Sequence, residues 1–283
     1  MILRVPPIKN GSPYPNYWNY FVRGFEELGV DVTLGESLPV FPRGKFAFEL
    51  QEKDKKVRAI WDWSDFDFIN TELEFPYFKI ELLESERGRL HFPTAQVICG
   101  TLLENLQYLR DMKAARKYTL DVYFVARVTE FEKRMQCAKI IKKREKDWKQ
   151  ICGMAQRINR PSIDEGLRVK KFPLFQNYEM QCESRICPAI RGIGEKTWRH
   201  MEIMAMGCCL LMPETPCAWP APLDGSVIMV KEDLSDLEEK VDYYLQHVDE
   251  REEIAANGRR YWDEYLSPQG MAKHIIETLE GEF

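Results

Sequence analysis

The sequence predicts an α/β fold of two doubly wound parallel-sheet domains, the first the more compact, and three observations carry that expectation. The chain has 283 residues, 45% of them hydrophobic, and 40 Lys+Arg against 45 Asp+Glu give a net charge of −5, enough apolar material for two cores. Short apolar runs alternate with helical spacings in both halves. The alternation restarts at Lys117–Tyr118, which divides the chain into expected domains 1–117 and 118–283, with the last helix able to pack back on the first.

The opening MILRV is a short apolar run that ends at Pro6-Pro7. After the loop KNGSPYP, Tyr17, Tyr20, Phe21, Gly24, Phe25 and Leu28 recur at helical spacing, with Asn16 as the expected cap and Gly29 as the stop. Val30 to Leu34 alternates as a strand, completing a βαβ unit. Strands are expected at Lys45–Leu50, Val57–Asp62, Tyr77–Leu82 and Ala95–Cys99, then a helix from about Thr101 to Arg116. In the second half Tyr118–Val128 reads as a buried strand, Phe131 to about Ile158 as helical, Leu167–Phe172 as a strand and Pro173–Arg185 as a helix. Ile186–Ile190, Cys208–Met212 and Ser226–Val230 read as strands around a helix at Lys196–Met206. Ser235-x-x-Glu238 reads as a capping box opening a helix to about His247, and Ser267-Pro268 starts the last helix.

The mildly acidic balance argues against nucleic acid as the main partner, because neutralising a phosphate backbone usually shows as a basic excess on one domain or stripe. The longest apolar run, Ile203 to Met212, is ten residues interrupted by Gly207, short of the ~20 that cross a bilayer, so no membrane span is expected. The N-terminus lacks the basic start and unbroken apolar stretch of a secretory signal, which gives a cytoplasmic chain beginning at Met1 as the expectation. Eight cysteines without paired CxxC spacing, beside four histidines, are read as reduced, buried thiols and not as a metal site.

The segment ICPAIRGIGEKTWRHMEIMAMGCCLLM, Ile186 to Met212, carries the densest functional signal. A strand, a loop with Gly192-x-Gly194 and a helix form an anion site, because free helix N–H groups and the helix dipole face the loop. The third glycine of a dinucleotide fingerprint is missing, which argues against a nicotinamide or flavin cofactor. Arg199 and Glu202 are three apart and share a helix face. An arginine there can fork onto a diphosphate while the carboxylate accepts two ribose hydroxyls; a solvated Arg/Glu pair is the plain alternative.

Thr197-x-Arg199-x-x-Glu202-x4-Gly207-Cys208 resembles the donor-binding segment of GT-B glycosyltransferases, especially the exostosin-like and CgeB-like groups, with a C-terminal domain like that of glycosyltransferase family 1. DVYFVARVTEFEKR (Asp121 to Arg134) looks like the opening of their nucleotide domain, and Lys231 to Pro268 looks like their closing helices. FPYFKIEL, Phe75 to Leu82, resembles a strand of the exostosin-like chains. The resemblance implies a GT-B architecture of two Rossmann-like domains, with Glu202 on the ribose and Arg127, Arg134 and Arg199 toward the diphosphate. Thr197, Gly194 and Glu195 complete the implied donor segment. Six residues separate Glu195 from Glu202, one fewer than in the retaining Glu-x7-Glu enzymes.

On that reading the first half holds the acceptor and the base, in a cleft at the strand carboxyl ends. AIWDWSDFDF places Asp62 at a strand end with Asp65 and Asp67 close behind. Asp62 or Asp65 is the expected base for an attacking hydroxyl, and a capping role for Asp65 is the alternative. Asp65-Phe66-Asp67 is also an Asp-x-Asp of the metal-dependent GT-A type, but that fold would leave the second α/β half unexplained. Lys9, Asn10 and Lys79 are the expected acceptor-side residues, while Trp219 is expected to pack a rim and His200 to be structural. The expected activity is transfer of a sugar from a nucleotide diphosphate, UDP by family frequency, to a hydroxyl of a glycan or other polyhydroxyl acceptor, with no cofactor or metal. A non-catalytic nucleotide- or glycan-binding module and a nucleotide-sugar epimerase are the alternatives.

Overall fold

The computed structural model describes residues 1–7, 15–41, 44–65, 75–88, 90–115, 117–127, 131–155 and 163–282. In chain order the first half contains β1 (Ile2–Val5), α1 (Pro15–Glu27), β2 (Asp31–Leu34), β3 (Val40–Phe41), β4 (Lys45–Glu52), β5 (Lys55–Asp62), β6 (Tyr77–Lys79), β7 (His91–Pro93) and α2 (Gly100–Ala114). There follow β8 (Leu120–Arg127), α3 (Phe131–Lys143), β9 (Gln150–Ala155), α4 (Leu174–Cys182), β10 (Ser184–Pro188), α5 (Trp198–Met206) and β11 (Leu210–Pro213). The chain closes with β12 (Ile228–Val230), α6 (Leu237–Gln246), α7 (Val248–Tyr261) and α8 (Pro268–Leu279). The class is α/β, as the alternating pattern predicts.

Two compact units result. The first comprises Met1–Val97, Pro216–Pro222 and Trp262–Phe283, and the second Ile98–Thr215 and Leu223–Tyr261. The division at Val97/Ile98 lies ahead of the position the sequence suggests, so α2 belongs to the second unit.

The sheet of the first unit runs β2-β1-β4-β5-β6-β7, with β3 paired to β4. Its flanks are parallel, but β4 is antiparallel to β1, β3 and β5. The sequence predicts parallel order throughout; the β4–β5 connection is too short for it. With Glu52 opposite Lys55, only Lys53 and Asp54 turn the chain, and a two-residue link joins only antiparallel strands. Lys53 takes a φ of 54° to make the turn.

The expected strand at Ala95–Cys99 is absent, because pairing ends where the Thr94 amide donates to the Lys79 carbonyl at 3.0 Å. α1 starts at Pro15, one residue before the expected cap Asn16, and Gly29, at φ 73°, follows its end as expected. Phe21 anchors the core, its ring centroid 4.8 Å from Trp61, 5.1 Å from Phe48 and 5.2 Å from Phe46. Burying each such side chain contributes about 1.5–3 kcal/mol. The late helix α8 packs on α1, and Ser267 caps it as expected, its Oγ accepting from the Gly270 amide at 2.9 Å.

The second unit has a five-stranded sheet, β12-β11-β10-β8-β9, with every pairing parallel. β8 shows why: Val122, Phe124 and Ala126 enter one apolar cluster while Leu120, Tyr123 and Val125 enter another. A strand buried on both faces reads as a continuous apolar run, the mark of a sheet covered on both sides. The chain leaves β8 for β9 on one side and returns to β10 on the other. The order therefore switches direction between β8 and β10, and the crevice outside the carboxyl ends of those two strands is where open α/β sheets bind ligands.

Three sequence expectations are corrected in this unit. The helix expected from Phe131 to Ile158 stops at Lys143, and Gln150–Ala155 is β9, paired with β8 over six residues. A short apolar stretch suits a buried helix or strand equally, and only the partner strand decides. The strand expected at Leu167–Phe172 is a 3₁₀ turn at Glu165–Leu167 followed by a single bridge, Arg168 to Met154. The expected capping box at Ser235 is displaced: α6 begins after Asp236, whose Oδ1 accepts from the Lys231 amide at 2.9 Å. The same segment pins Ser235, whose amide donates to Asp233 Oδ1 at 2.9 Å.

All eight cysteines are free thiols, and all but Cys99 are buried. Among the described residues no group of three or more His, Cys, Asp or Glu side chains is placed to hold a metal ion. No helix among them is long and apolar enough to cross a membrane.

Candidate functional site

The direction switch of the second sheet brings together residues from β8, α3, α5 and the loop after β10. α5 opens at Thr197, whose extended backbone (φ −118°, ψ 159°) makes it the N-cap, and ends at Gly207, which takes the left-handed φ of 74° that glycine tolerates. The capping partner is His200. The Thr197 amide donates to His200 Nδ1 at 3.1 Å, and Thr197 Oγ1 lies 2.9 Å from the same nitrogen. His200 is 1% exposed, and burial pushes its pKa down to about 3, with Arg134 and Arg199 adding to the shift. The ring is neutral at physiological pH, in keeping with the structural role expected of it.

Arg199 sits in the first turn of α5. Its Nη2 donates to the Val125 carbonyl of β8, and its Nη1 is buried without a hydrogen-bond partner among the described residues. An unanswered guanidinium N–H is costly to bury, so such a group calls for an acceptor. Glu202, one turn further on and 6% exposed, accepts from Tyr178 Oη of α4 at 3.2 Å through Oε1. Burial raises the Glu202 pKa, while the Arg199 charge and the Tyr178 hydrogen bond oppose the rise. Arg199 and Glu202 thus share a helix face, as their spacing predicts. Tyr178 completes the group and escapes a sequence reading, since one tyrosine in LFQNYEMQC looks like any core aromatic.

The other implied donor residues divide. Arg134 spreads its guanidinium over three carbonyls, Nε to Arg191 at 2.8 Å, Nη1 to Arg127 at 2.9 Å and Nη2 to Ile190 at 3.1 Å. It therefore ties the end of β8 to the loop after β10, the two strands that frame the crevice. The Arg127 side chain is exposed at the end of β8. Gly194 closes the loop, its carbonyl accepting from the Gly192 amide at 2.9 Å. Glu195 is held by Arg191 Nη1 at 2.7 Å and by Thr215 Oγ1 at 3.3 Å. Along the same carboxyl edge an open cavity of about 440 Å³ is lined by Lys133, Lys231, Glu232 and Asp233. Lys133 and Glu232 pair there at 2.7 Å.

In the first unit the expected catalytic and acceptor residues are redistributed. Asp62 is fully buried, with Tyr77 Oη at 2.6 Å and Lys79 Nζ at 3.2 Å on Oδ2, and the Ser64 amide at 2.9 Å on Oδ1. Lys45 Nζ adds an ion pair at 3.6 Å. Lys79 is sealed in the same cluster, and burial lowers its pKa against the pull of Asp62. Neither side chain reaches an open surface, which corrects the expectation that a strand-end position exposes both: the neighbouring strands β4 and β6 bring donors that close over the carboxylate. Asp65 is partly exposed, with Gln96 Nε2 at 3.5 Å, and burial raises its pKa. Lys9, Asn10 and Asp67 lie outside the described residues. Trp219 packs as expected, 7% exposed, its carbonyl accepting from Arg87 Nη2 at 2.8 Å.

Comparison with known proteins adds a partial likeness to this geometry. Residues 170–277 match the family model described as glycosyl transferase-like. No curated protein sequence matches the chain. Among solved structures, the C-terminal domain of a glycosyl transferase group 1 family protein (LpcC) from Francisella tularensis is 15% identical, with a TM-score of 0.40 over 56% of this chain and 92% of that one. The N-terminal domain of trehalose-6-phosphate phosphatase from Candida albicans is 10% identical, with a TM-score of 0.43, covering 68% of this chain and 50% of that one. The matched segment brackets α4, β10, α5 and β11, and so contains Tyr178, Arg199 and Glu202 together. Over residues 170–277 the chain is accordingly similar to glycosyl transferase-like proteins.

Proposed function

We propose that the chain is a glycosyltransferase that binds a nucleotide diphosphate sugar, UDP-linked by preference, in the crevice at the β8/β10 switch and transfers the sugar to a hydroxyl of a glycan or other polyhydroxyl acceptor. The observation that carries this reading is the buried Nη1 of Arg199, without a hydrogen-bond partner among the described residues, beside the buried carboxylate of Glu202, inside the matched segment. A guanidinium donor suits a diphosphate oxygen, and a carboxylate suits two ribose hydroxyls; a nucleoside diphosphate supplies both.

In this mechanism the bond from the sugar's anomeric carbon to the diphosphate oxygen breaks while the acceptor oxygen attacks. The departing diphosphate collects negative charge, which Arg199, the N-terminus of α5 and the exposed Arg127 offset by fixed electrostatics without a metal ion. Arg134 acts differently, by fixing the backbone that holds the crevice. The attacking hydroxyl must lose a proton. Of the two expected bases, Asp65 suits the task, since Asp62 is already saturated by Lys79, Tyr77 and Ser64. The protein acts as a soluble cytoplasmic enzyme on this reading.

Thermal shift of the purified chain with UDP, GDP, ADP and TDP, each with and without EDTA, tests the reading, because a ligand that binds only the native state raises its stability. The expected result is a rise with one diphosphate that persists in EDTA and disappears in Arg199→Lys and Glu202→Gln. Absence of a rise with all four in the wild type overturns the nucleotide-sugar reading.

A further inference from the structure

Glu202 faces a physical difficulty that the proposed function leaves unsolved. A carboxylate must be ionised to accept two ribose hydroxyls, yet this one is 6% exposed, and burial favours its neutral form. Two groups counter the burial, Arg199 on the same helix and the phenol of Tyr178 reaching across from α4. Tyr178 is itself fully buried and stays protonated, so its O–H remains a donor. It engages Oε1 alone; Oε2 accepts no hydrogen bond among the described residues. The remaining titratable neighbours stand one step back, Cys99 at the start of α2 toward Tyr178 and Tyr123 of β8 toward Arg199.

We propose that Tyr178 is the positioning residue of the nucleotide site, holding Glu202 ionised and turned so that Oε2 receives the ribose hydroxyls, and thereby selecting ribonucleotides over their 2′-deoxy counterparts. The proposal rests on the nucleotide reading above and deepens it. Tyr178 touches the acid and not the ligand, so it sets affinity through Glu202. Its removal has two consequences that loss of packing does not share. The carboxyl becomes easier to protonate, which moves the acid limit of binding upward. The carboxylate also loses its fixed orientation, which erodes the preference for a 2′-hydroxyl.

Tyr178→Phe keeps the ring and deletes only the hydroxyl. Calorimetric Kd values for UDP, GDP and ADP and their 2′-deoxy forms, from pH 5 to 9, provide the test. Wild type is expected to bind one ribonucleotide best and to weaken toward acid. In Tyr178→Phe, binding at neutral pH falls roughly tenfold, the scale of one hydrogen bond to a charged group. The acid limit rises by about one pH unit, and the ribo/deoxy ratio shrinks toward unity. Unchanged Kd and acid limit overturn the proposal, as does a uniform weakening at every pH and for both sugars. Should Tyr178→Phe fail to fold, the wild type carries the test: it is expected to bind the ribonucleotide more tightly than its 2′-deoxy form and to weaken toward acid, and equal Kd values for the two sugars or a Kd independent of pH overturn the proposal. A wild type that binds none of the diphosphates removes the proposed function itself, a result distinguishable because it appears before any substitution is made.

Discussion

His200 shows how one side chain links the candidate site to stability. Its Nδ1 accepts the Thr197 amide in a capping box whose usual third-position partner is Glu or Gln, and its pKa lies near 3 in the native state against the ~6.5 of an unfolded chain. Because the native value is depressed, the unfolded chain takes up the proton first. The stability from His200 is fully present above pH ~6.5 and is lost as pH falls toward 3. Between pH 7 and pH 5 that loss is about 2 kcal/mol. Glutamine accepts the same amide without titrating, so His200→Gln is expected to flatten the acid limb of the stability curve. Urea melts at both pH values check this, and parallel losses in wild type and variant contradict it. At this scale the sequence exposed Arg199 and Glu202 through their spacing. Asp62 was misread as open because Tyr77 and Lys79 of β6 and Lys45 of β4 reach it from other strands, which no local pattern announces.

Among the elements, helix ends and close approaches decide most. A Cβ on Gly24 of α1 would lie 2.0 Å from the Pro268 carbonyl oxygen, a backbone atom of α8 that has no side-chain freedom to yield. Gly24→Ala is therefore expected to destabilise the fold by more than about 2 kcal/mol, read as a lower Tm. Gly100, at the start of α2, has nothing within 4 Å of the added carbon, and Gly100→Ala is expected to be neutral or slightly stabilising. Equal effects at the two positions would contradict the close packing of α1 on α8. Helices with punctuation were legible in advance: Gly29 follows α1, Gly207 ends α5 and Ser267-Pro268 opens α8. The helix expected to Ile158 was overextended because Gln150–Ala155 is apolar under either periodicity, and pairing with β8 is what makes it a strand.

For the whole molecule, burial of seven of the eight free thiols predicts the course of a thiol titration. With a disulfide reagent under native conditions Cys99 reacts first and alone, and the others follow only on unfolding. Burial pushes the Cys152 and Cys209 thiols up to about 12, which removes the thiolate that such reagents require. Rapid native reaction of several thiols would contradict the described cores. The sequence by itself determined the α/β class, most helix ends and the shared helix face of Arg199 and Glu202, because periodicity, capping residues and i, i+3 spacing are local and the helix turns them directly into geometry. Tertiary structure decided the rest. It made β4 antiparallel to β1, sealed Asp62 behind Lys79, and set Tyr178 against Glu202. Each of these depends on which distant segments meet, and that follows from the burial of the whole chain and not from the pattern of any one stretch.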